Sequence, residues 1–486
     1  MIEAVFVLPA LAALVALGLR SKGQRQALLV GTSLAHATLV GALAFRAPPL
    51  RPGAWIGLDE LGLLFLIIVS VLFTAVSIYA VGYLRREPER PRSDFEEGLL
   101  FSNEPEPVFV ACLLFFLATM SLVTVSRHLG LLWVGVEATT LASAPLIYFH
   151  RHHRSLEATW KYLIVCSVGI GFALLGNLVA AGAHPGGSAA SVVLDELLRV
   201  APQLDPDWLE AGFLLLLVGY GTKMGLAPMH TWLPDAHSES PSLVSALLSG
   251  ALLNCAFLGI LRAHQVLAAA GAAPLAARPL QALGLLSMAV GALFIVRQPD
   301  YKRMLAYSSV EHMGILALGV GVGGGAAFGA MLHGLSHSLA KAALFLVAGN
   351  LLARYATKRV HEVRGALGAA PVSAVLWVAG LLALGGMPPF ALFLSEFTIL
   401  RATLQASPWI AAPFLGALAV GFIGMLGAGV PMVLGRTPGT LRSSGEPRSA
   451  VLPPLLLAAS LLVLGLYLPA PLQRLLEGAA RLIGGG

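Results

Sequence analysis

The sequence predicts an all-α integral membrane protein of about fourteen transmembrane helices, containing two inverted five-helix repeats with discontinuous helices. Three observations point there. The 486 residues are 57% hydrophobic and only 12% charged, with a mean hydropathy of +0.81, a balance foreign to soluble domains. Those apolar residues, about 277 of them, would fill roughly fourteen crossings at ~20 residues each. Finally, 20 of the 31 Lys and Arg fall in alternate connections between apolar runs, the asymmetry that the positive-inside rule expects of a multi-pass chain.

The first span, near 2–19, has Glu3 at its head and neither a basic n-region nor an A-x-A cleavage site, so a retained span is expected rather than a signal peptide. Spans near 27–46 and 60–84 complete an N-terminal segment, 1–106, whose last connection (85–106) mixes charges with prolines. Spans near 107–126, 128–150, 158–182, 208–228 and 240–265 make the first five-helix repeat, 107–265, interrupted by a Gly/Ser-rich and then acidic stretch at 183–207. Spans near 278–296, 303–322, 323–353, 370–404 and 412–435 make the second, 278–435, and a span near 450–470 with a tail fills 436–486. The connections are too short for a soluble domain. With the basic connections inside, both termini are expected on the non-cytoplasmic side. The repeat rests on an echo of Gly225-Leu-Ala-Pro228-Met-His-Thr-Trp-Leu in Gly385-Gly-Met-Pro388-Pro-Phe-Ala-Leu-Phe, five spans later. An odd offset reverses orientation, so Pro228 and Pro388/Pro389 would break equivalent helices.

Cys112, Cys166 and Cys255 all lie within apolar runs, and no C-x-x-C or clustered Cys/His spacing offers a zinc, iron–sulfur or haem ligand set. The basic residues are scattered among short loops and make no nucleic-acid stripe. His150-Arg-His-His-Arg154 reads as a cytoplasmic anchor.

A charge at mid-bilayer costs ~2.5–3.5 kcal/mol on insertion scales, so each one retained needs a partner or a purpose. Four stand out: Glu137, midway through the fifth span; Lys223, just before the break at Pro228; Lys341; and Glu396, after Pro388 and Pro389. Glu137 and Lys223 read either as an ion pair gluing two helices or as elements of a proton path. Apolar replacement of a buried pair is often neutral or stabilising, which favours the path. His333, His337 and Lys341 fall at i, i+4 and i+8, along one helix face; they suit a proton relay, or hydrogen bonds between helices. His333-Gly-Leu-Ser-His337 lacks the Glu of H-E-x-x-H, so no metal site is expected there. Glu311, beside His312 near the start of its span, is read equally as a dipole-favoured acid or a functional one. His230, Asp235 and His237 are placed at or beyond the end of the seventh span, as accessible polar groups or a proton entrance.

These residues resemble the antiporter-like proton-channel subunits shared by respiratory complex I, multisubunit cation/proton antiporters and energy-converting hydrogenases. The resemblance runs from the third to the thirteenth span. Its most specific stretch is Lys223-Met-Gly-Leu-Ala-Pro-Met-His-Thr-Trp-Leu-Pro-Asp-Ala-His, followed by Ser-Glu-Ser-Pro-Ser-Leu-Val-Ser-Ala-Leu-Leu-Ser-Gly. Trp133-Val-Gly-Val-Glu-Ala-Thr-Thr, Trp160-Lys-Tyr-Leu-Ile-Val-Cys and Ser309-Val-Glu-His-Met-Gly-Ile are most similar to component F of hydrogenase-4-type complexes. The resemblance implies Glu137 and Lys223 as the coupled pair of the first half-channel, His333, His337 and Lys341 as the central relay, and Glu396 as the terminal group. Asn254 stands where many relatives have Lys, a departure that leaves the expected line of charges either interrupted there or bridged by water.

The expected function is therefore proton translocation in the plasma (inner) membrane of a prokaryote, within a redox-driven complex of the hydrogenase-4 or complex I-like NADH:quinone oxidoreductase kind. No cofactor is expected in this chain; nickel–iron, iron–sulfur or quinone sites would belong to partner subunits, both membrane homologues and a peripheral redox arm. A sodium/proton antiporter subunit is one rival, although spans rich in Lys and His supply few of the oxygen ligands that sodium needs. A non-conducting scaffold for a hydrogenase is another, and a membrane transferase using His230, Asp235 and His237 is a third.

Overall fold

In the computed structural model, residues 1–46, 48–87, 90–94, 98–184, 191–437 and 445–484 are described. The chain is almost wholly helical. The N-terminal helices are α1 (Ala4–Gly18), α2 (Lys22–Phe45) and α3 (Glu60–Arg86). A two-stranded antiparallel pair, β1 (Arg92–Ser93) and β2 (Leu100–Phe101), precedes α4 (Glu106–Val125), α5 (Leu129–Ile147) and α6 (His153–Ala181). A short α7 (Leu194–Val200) leads into α8 (Pro206–Met224), α9 (Trp232–Glu239), α10 (Ser242–Leu247) and α11 (Leu253–Ala269). Then come α12 (Ala273–Ile295), α13 (Tyr301–Val322), α14 (Gly325–Tyr355), the single turn α15 (Ala366–Ala369), α16 (Pro371–Leu384) and α17 (Ala391–Ala406). The last are α18 (Pro408–Val433), α19 (Arg448–Leu466) and α20 (Ala470–Leu482).

Among the described residues twelve helices are long and apolar enough to cross a membrane, with Pro206–Glu239 and Ser242–Ala269 each taken as one crossing. Two expected spans are shorter than the sequence suggests. The first is the 15-residue α1, which gives up its ends to Glu3 and Leu19. The twelfth, expected over 370–404, is divided by its prolines into α16 and α17. The sequence reading missed α20 altogether: polar on one side and apolar on the other, it buries Leu476, Ala479 and Ala480 while Gln473 and Arg481 stay exposed.

Both breaks have the same local chemistry. Helix α8 stops at Gly225, whose φ of +85° is a left-handed cap that a side chain would resist. The following Leu226 N–H donates back to the Gly221 carbonyl at 2.8 Å. Helix α16 ends at Leu384, the left-handed residue past its cap is Gly386 (φ +65°), and Met387 N–H donates to the Leu382 carbonyl at 3.0 Å. The echo therefore aligns Gly225 with Gly386 and Pro228 with Pro389, one residue out of the register read from sequence, which matched Gly225 to Gly385 and Pro228 to Pro388. In lipid no freed backbone group is tolerated without a partner. Accordingly Trp232 Nε1 donates to the Thr222 carbonyl at 2.9 Å and Ala227 N–H to Ser287 Oγ at 2.9 Å.

The innermost crossings are Ser242–Ala269, α13 and α14; the most apolar window of the first is wholly buried, and those of the other two are 89% buried. A π-helical turn over Leu248–Leu252 interrupts the first of them. At one end of these crossings Glu239, Asp300 and Lys358 meet: Lys358 Nζ lies 2.8 Å from Glu239 Oε1, and Ser238 Oγ donates to Asp300 at 2.7 Å. At the opposite end Asp59, the N-cap of α3, takes two bonds from Arg262 at 2.5 and 2.7 Å and one from Arg127 at 2.7 Å. Arg127 also pairs with Asp195. This buried cluster ties α3, the α4–α5 connection, α7 and α11 together; Arg262 was not among the residues singled out within the spans.

Burial pushes the Asp59 carboxyl up, but Arg262 and Arg127 overcome that and hold it well below its ordinary 3.8. A depressed folded-state value contributes stability that is fully present above 3.8 and decays as pH falls from there towards the folded value. Asp59→Asn is expected to abolish this acid-dependent decline in the Tm of the detergent-solubilised protein. Arg262→Met leaves the carboxylate buried with one cation fewer and is expected to cost about 3–5 kcal/mol, read as a lower Tm; an unchanged Tm would show that the cluster does not hold the fold.

Candidate functional site

The first group of membrane-buried polar residues lies where α5, α6 and α8 meet. Lys223, in the last turn of α8, is wholly buried. Its Nζ donates to Thr140 Oγ1 and to Tyr162 OH, each at 2.7 Å. Thr140 Oγ1 donates onward to Glu137 Oε2 at 3.2 Å, and Tyr162 OH shares a hydrogen with Ser143 Oγ at 2.7 Å. Ser143 donates to the Thr139 carbonyl at 2.7 Å. The expected Glu137–Lys223 pair is thus not a direct salt bridge; a threonine one helical turn beyond Glu137 stands between them. The other Glu137 oxygen, Oε1, accepts from Ser167 at 2.7 Å. Glu137 is half-buried and Ser167 exposed, so this end of the chain of hydrogen bonds opens on the lateral surface of the protein.

The second group lies among α13, α14 and α17. Expectation placed His333, His337 and Lys341 in series along α14, and all three are buried on that helix. The hydrogen bonding runs across helices instead. His312 of α13 and His333 face each other through Nδ1 and Nε2 at 3.0 Å, and His333 Nδ1 meets Ser395 Oγ of α17 at 2.9 Å. The His312 ring is 5.1 Å from both the His333 and His337 rings, whereas His333 and His337 are 6.3 Å apart, so His312 bridges the two α14 histidines. Neither His337 ring nitrogen has a partner at bonding geometry among the described residues. The Ser249 backbone is the polar group beside it. Lys341 Nζ donates to the Leu305 carbonyl at 2.6 Å and to Ser308 Oγ.

The two acids of this group are set against glycine. Glu396 Oε2 lies where a Cβ on Gly386 would sit, 2.0 Å from it, and Glu311 Oε1 lies 2.4 Å from where a Cβ on Gly421 would be. Glu396 Oε1 and Glu311 Oε2 are buried with no hydrogen-bond partner among the described residues. Asn254 Nδ2 donates to the Gly250 carbonyl, within the π-helical turn, at 2.8 Å, and to Ser338 Oγ of α14 at 2.6 Å.

The entrance residues separate. Asp235 is half-buried, paired with Arg303 and, at 2.9 Å, with Lys161. His230 is half-buried with its ring 6.3 Å from that of Tyr307. His237 corrects the expectation of an accessible group: α9 turns inward, and the ring is fully buried, stacked on Phe345 at 5.0 Å. It sits beyond the ion cluster in which Lys302 Nζ donates to the Ser238 and Ser240 carbonyls at 3.0 and 2.6 Å. Sequence reasoning missed Thr140, Tyr162, Ser395 and the buried His36, whose ring nitrogens meet Ser70 and Ser121 at 3.0 and 2.9 Å. Hydroxyls within a turn of a charged group on the same helix would have flagged Thr140 and Ser395, which precedes Glu396, although only packing brings Ser395 to His333.

Comparison with known proteins agrees with this architecture. Residues 126–422 match the family described as NADH:quinone oxidoreductase/Mrp antiporter, TM. The chain is 36% identical over 448 residues, 90% of its length and 91% of the relative's, to a hydrogenase-4 component F homologue of Methylacidiphilum infernorum. It is 30% identical over 429 residues to the NADH-quinone oxidoreductase subunit N of Desulforudis audaxviator, covering 84% of this chain and 81% of that one. Its structure superposes on a chain of respiratory complex I from Thermus thermophilus with a TM-score of 0.81 at 26% identity, over the full length of both. The chain belongs to the NADH:quinone oxidoreductase/Mrp antiporter transmembrane family.

Proposed function

We propose that this chain is the proton-translocating membrane subunit of a multisubunit, redox-driven complex of the hydrogenase-4 or complex I-like type, in a prokaryotic plasma membrane with both termini on the non-cytoplasmic side. The observation that carries the reading is the directed chain from Lys223 through Thr140 to Glu137. Ammonium donates to hydroxyl and hydroxyl donates to carboxylate, with Lys223 wholly buried and Glu137 reaching the lateral surface. A charge change in a neighbouring membrane subunit beside Glu137 alters how strongly the carboxylate draws on Thr140. Lys223 feels that through one intervening hydroxyl and holds or releases its proton accordingly. In the second half His312, His333 and His337 carry the proton between Lys341 and Glu396, with Glu311 as a second acid. His237 and the ion cluster around Lys302 form the entrance. The two halves, 107–265 and 278–435, act as inverted half-channels broken at Gly225 and Gly386. Redox centres belong to the partner subunits.

Proton uptake into sealed vesicles of the assembled complex tests this, with substrate turnover and subunit assembly followed together. Lys223→Met is expected to assemble and to lose coupled uptake; a scaffold predicts unchanged uptake and turnover, and that outcome would sink the proposal. Thr140→Val keeps the shape and removes a hydrogen bond to a charged group worth about 1.5–3 kcal/mol. It is expected to lower coupled uptake roughly tenfold or more, while Thr140→Ser restores it. The same vesicles assayed with and without Na⁺ separate proton pumping from sodium exchange, which requires uptake to follow the sodium gradient.

A further inference from the structure

The sequence reading looked for metal ligands along a single helix and found none. Across helices the position changes. One ligand atom from each of His312, His333 and Glu396 falls within 4.8 Å of the others, all three residues being buried. The facing imidazole nitrogens are 3.0 Å apart, close to the roughly 3.3 Å that two nitrogens span on a tetrahedral zinc with ~2.0–2.1 Å bonds. The third member, Glu396, is 6% exposed and has an oxygen with no hydrogen-bond partner among the described residues.

The hydrogen bonds around the pair also prepare it. Ser395 Oγ donates to the Leu392 carbonyl at 2.7 Å, so toward His333 it is an acceptor. His333 Nδ1 therefore carries the hydrogen, and its Nε2 presents a lone pair to His312. A ring held by a hydrogen bond from its distal nitrogen is the usual state of a metal-bound histidine. In the absence of metal that lone pair is occupied by the hydrogen on His312 Nδ1. A divalent cation takes the place of this hydrogen: the neutral His312 ring shifts its hydrogen from Nδ1 to Nε2, where the Leu384 backbone carbonyl accepts it. Both facing nitrogens and one Glu396 carboxylate oxygen bind the metal, with no net proton lost from either ring.

We infer that His312, His333 and Glu396 form a binding site for a divalent transition metal of the zinc class, which occupies the position of the hydrogen shared by the two histidines. Two imidazoles and a carboxylate suit Zn²⁺ or Co²⁺ and leave a fourth position for water. The site stands on geometry alone; that its occupation blocks proton passage rests on the function proposed above.

The test uses the assembled complex, purified in detergent and stripped with a chelator, then titrated with Co²⁺. Wild type is expected to bind one more equivalent of Co²⁺ than His312→Ala or His333→Ala, with the intense visible absorption of four-coordinate Co²⁺ in the wild-type-minus-variant difference spectrum. Ser395→Ala keeps all three ligands and is expected to weaken binding about 10–100-fold, the usual effect of losing a group that orients a ligand. Assembly of each variant is checked on native gels, and Glu396→Gln serves where a histidine variant fails to assemble. Equal Co²⁺ stoichiometry in wild type and variants, or a difference spectrum lacking the four-coordinate signature, overturns the site. Zn²⁺ is then added to sealed vesicles. Reversible loss of proton uptake at the occupancy measured by titration supports the block, whereas bound metal with unchanged uptake leaves the site standing and counts against a proton route through His312 and His333.

Discussion

Everything in this molecule is arranged around keeping two ammonium groups dry. Lys223 and Lys341 are wholly buried, and a charge in such surroundings needs hydrogen-bonding oxygens beside it. Neither lysine touches a carboxylate. Lys223 has a threonine and a tyrosine hydroxyl, and Lys341 has a backbone carbonyl and a serine hydroxyl. Neutral oxygens stabilise an ammonium less than a carboxylate in contact would. For Lys223 the acid stands one group away, with Thr140 between it and Glu137.

A break in a helix inside lipid frees backbone groups that other groups must satisfy. The fold opens three helices, at Gly225, at Gly386 and over the π-helical turn at Leu248–Leu252. Side chains answer the two glycine–proline breaks: Trp232 donates to the Thr222 carbonyl, and Glu396 fills the space left by the missing side chain of Gly386. The glycine–proline signature marks both sites, within two residues of Lys223 and ten of Glu396.

The parts of the site legible in the sequence are those in which one residue violates the membrane rule by itself: Glu137, Lys223, Lys341 and Glu396 are charges in apolar runs. The fold class followed from hydropathy and the alternation of basic connections for the same reason. What was not legible depends on pairs. His312 and His333 are separated by Gly323-Gly324-Gly325 and a reversal of direction, so no periodicity relates them. Arg262 looked like a residue near a helix end; only packing brings it to Asp59, 203 residues away. The one-residue error in the Gly225 echo arose because two adjacent glycines, Gly385 and Gly386, offer the same letter; backbone φ tells them apart. Helix α20 escaped because its apolar face is too narrow to raise mean hydropathy.

Asn254 links α11 to α14 at a place where the resemblance puts a lysine in many relatives. It reaches from the first half to Ser338 on α14, and Ser338 donates to the Gly334 carbonyl at 2.6 Å. An amide in that position orients hydroxyls but does not titrate, whereas a lysine there would carry a proton as a stored charge. A lysine at the same place would add a further cation to the buried interior that holds Lys223 and Lys341 and raise the cost of charging either; the amide adds none.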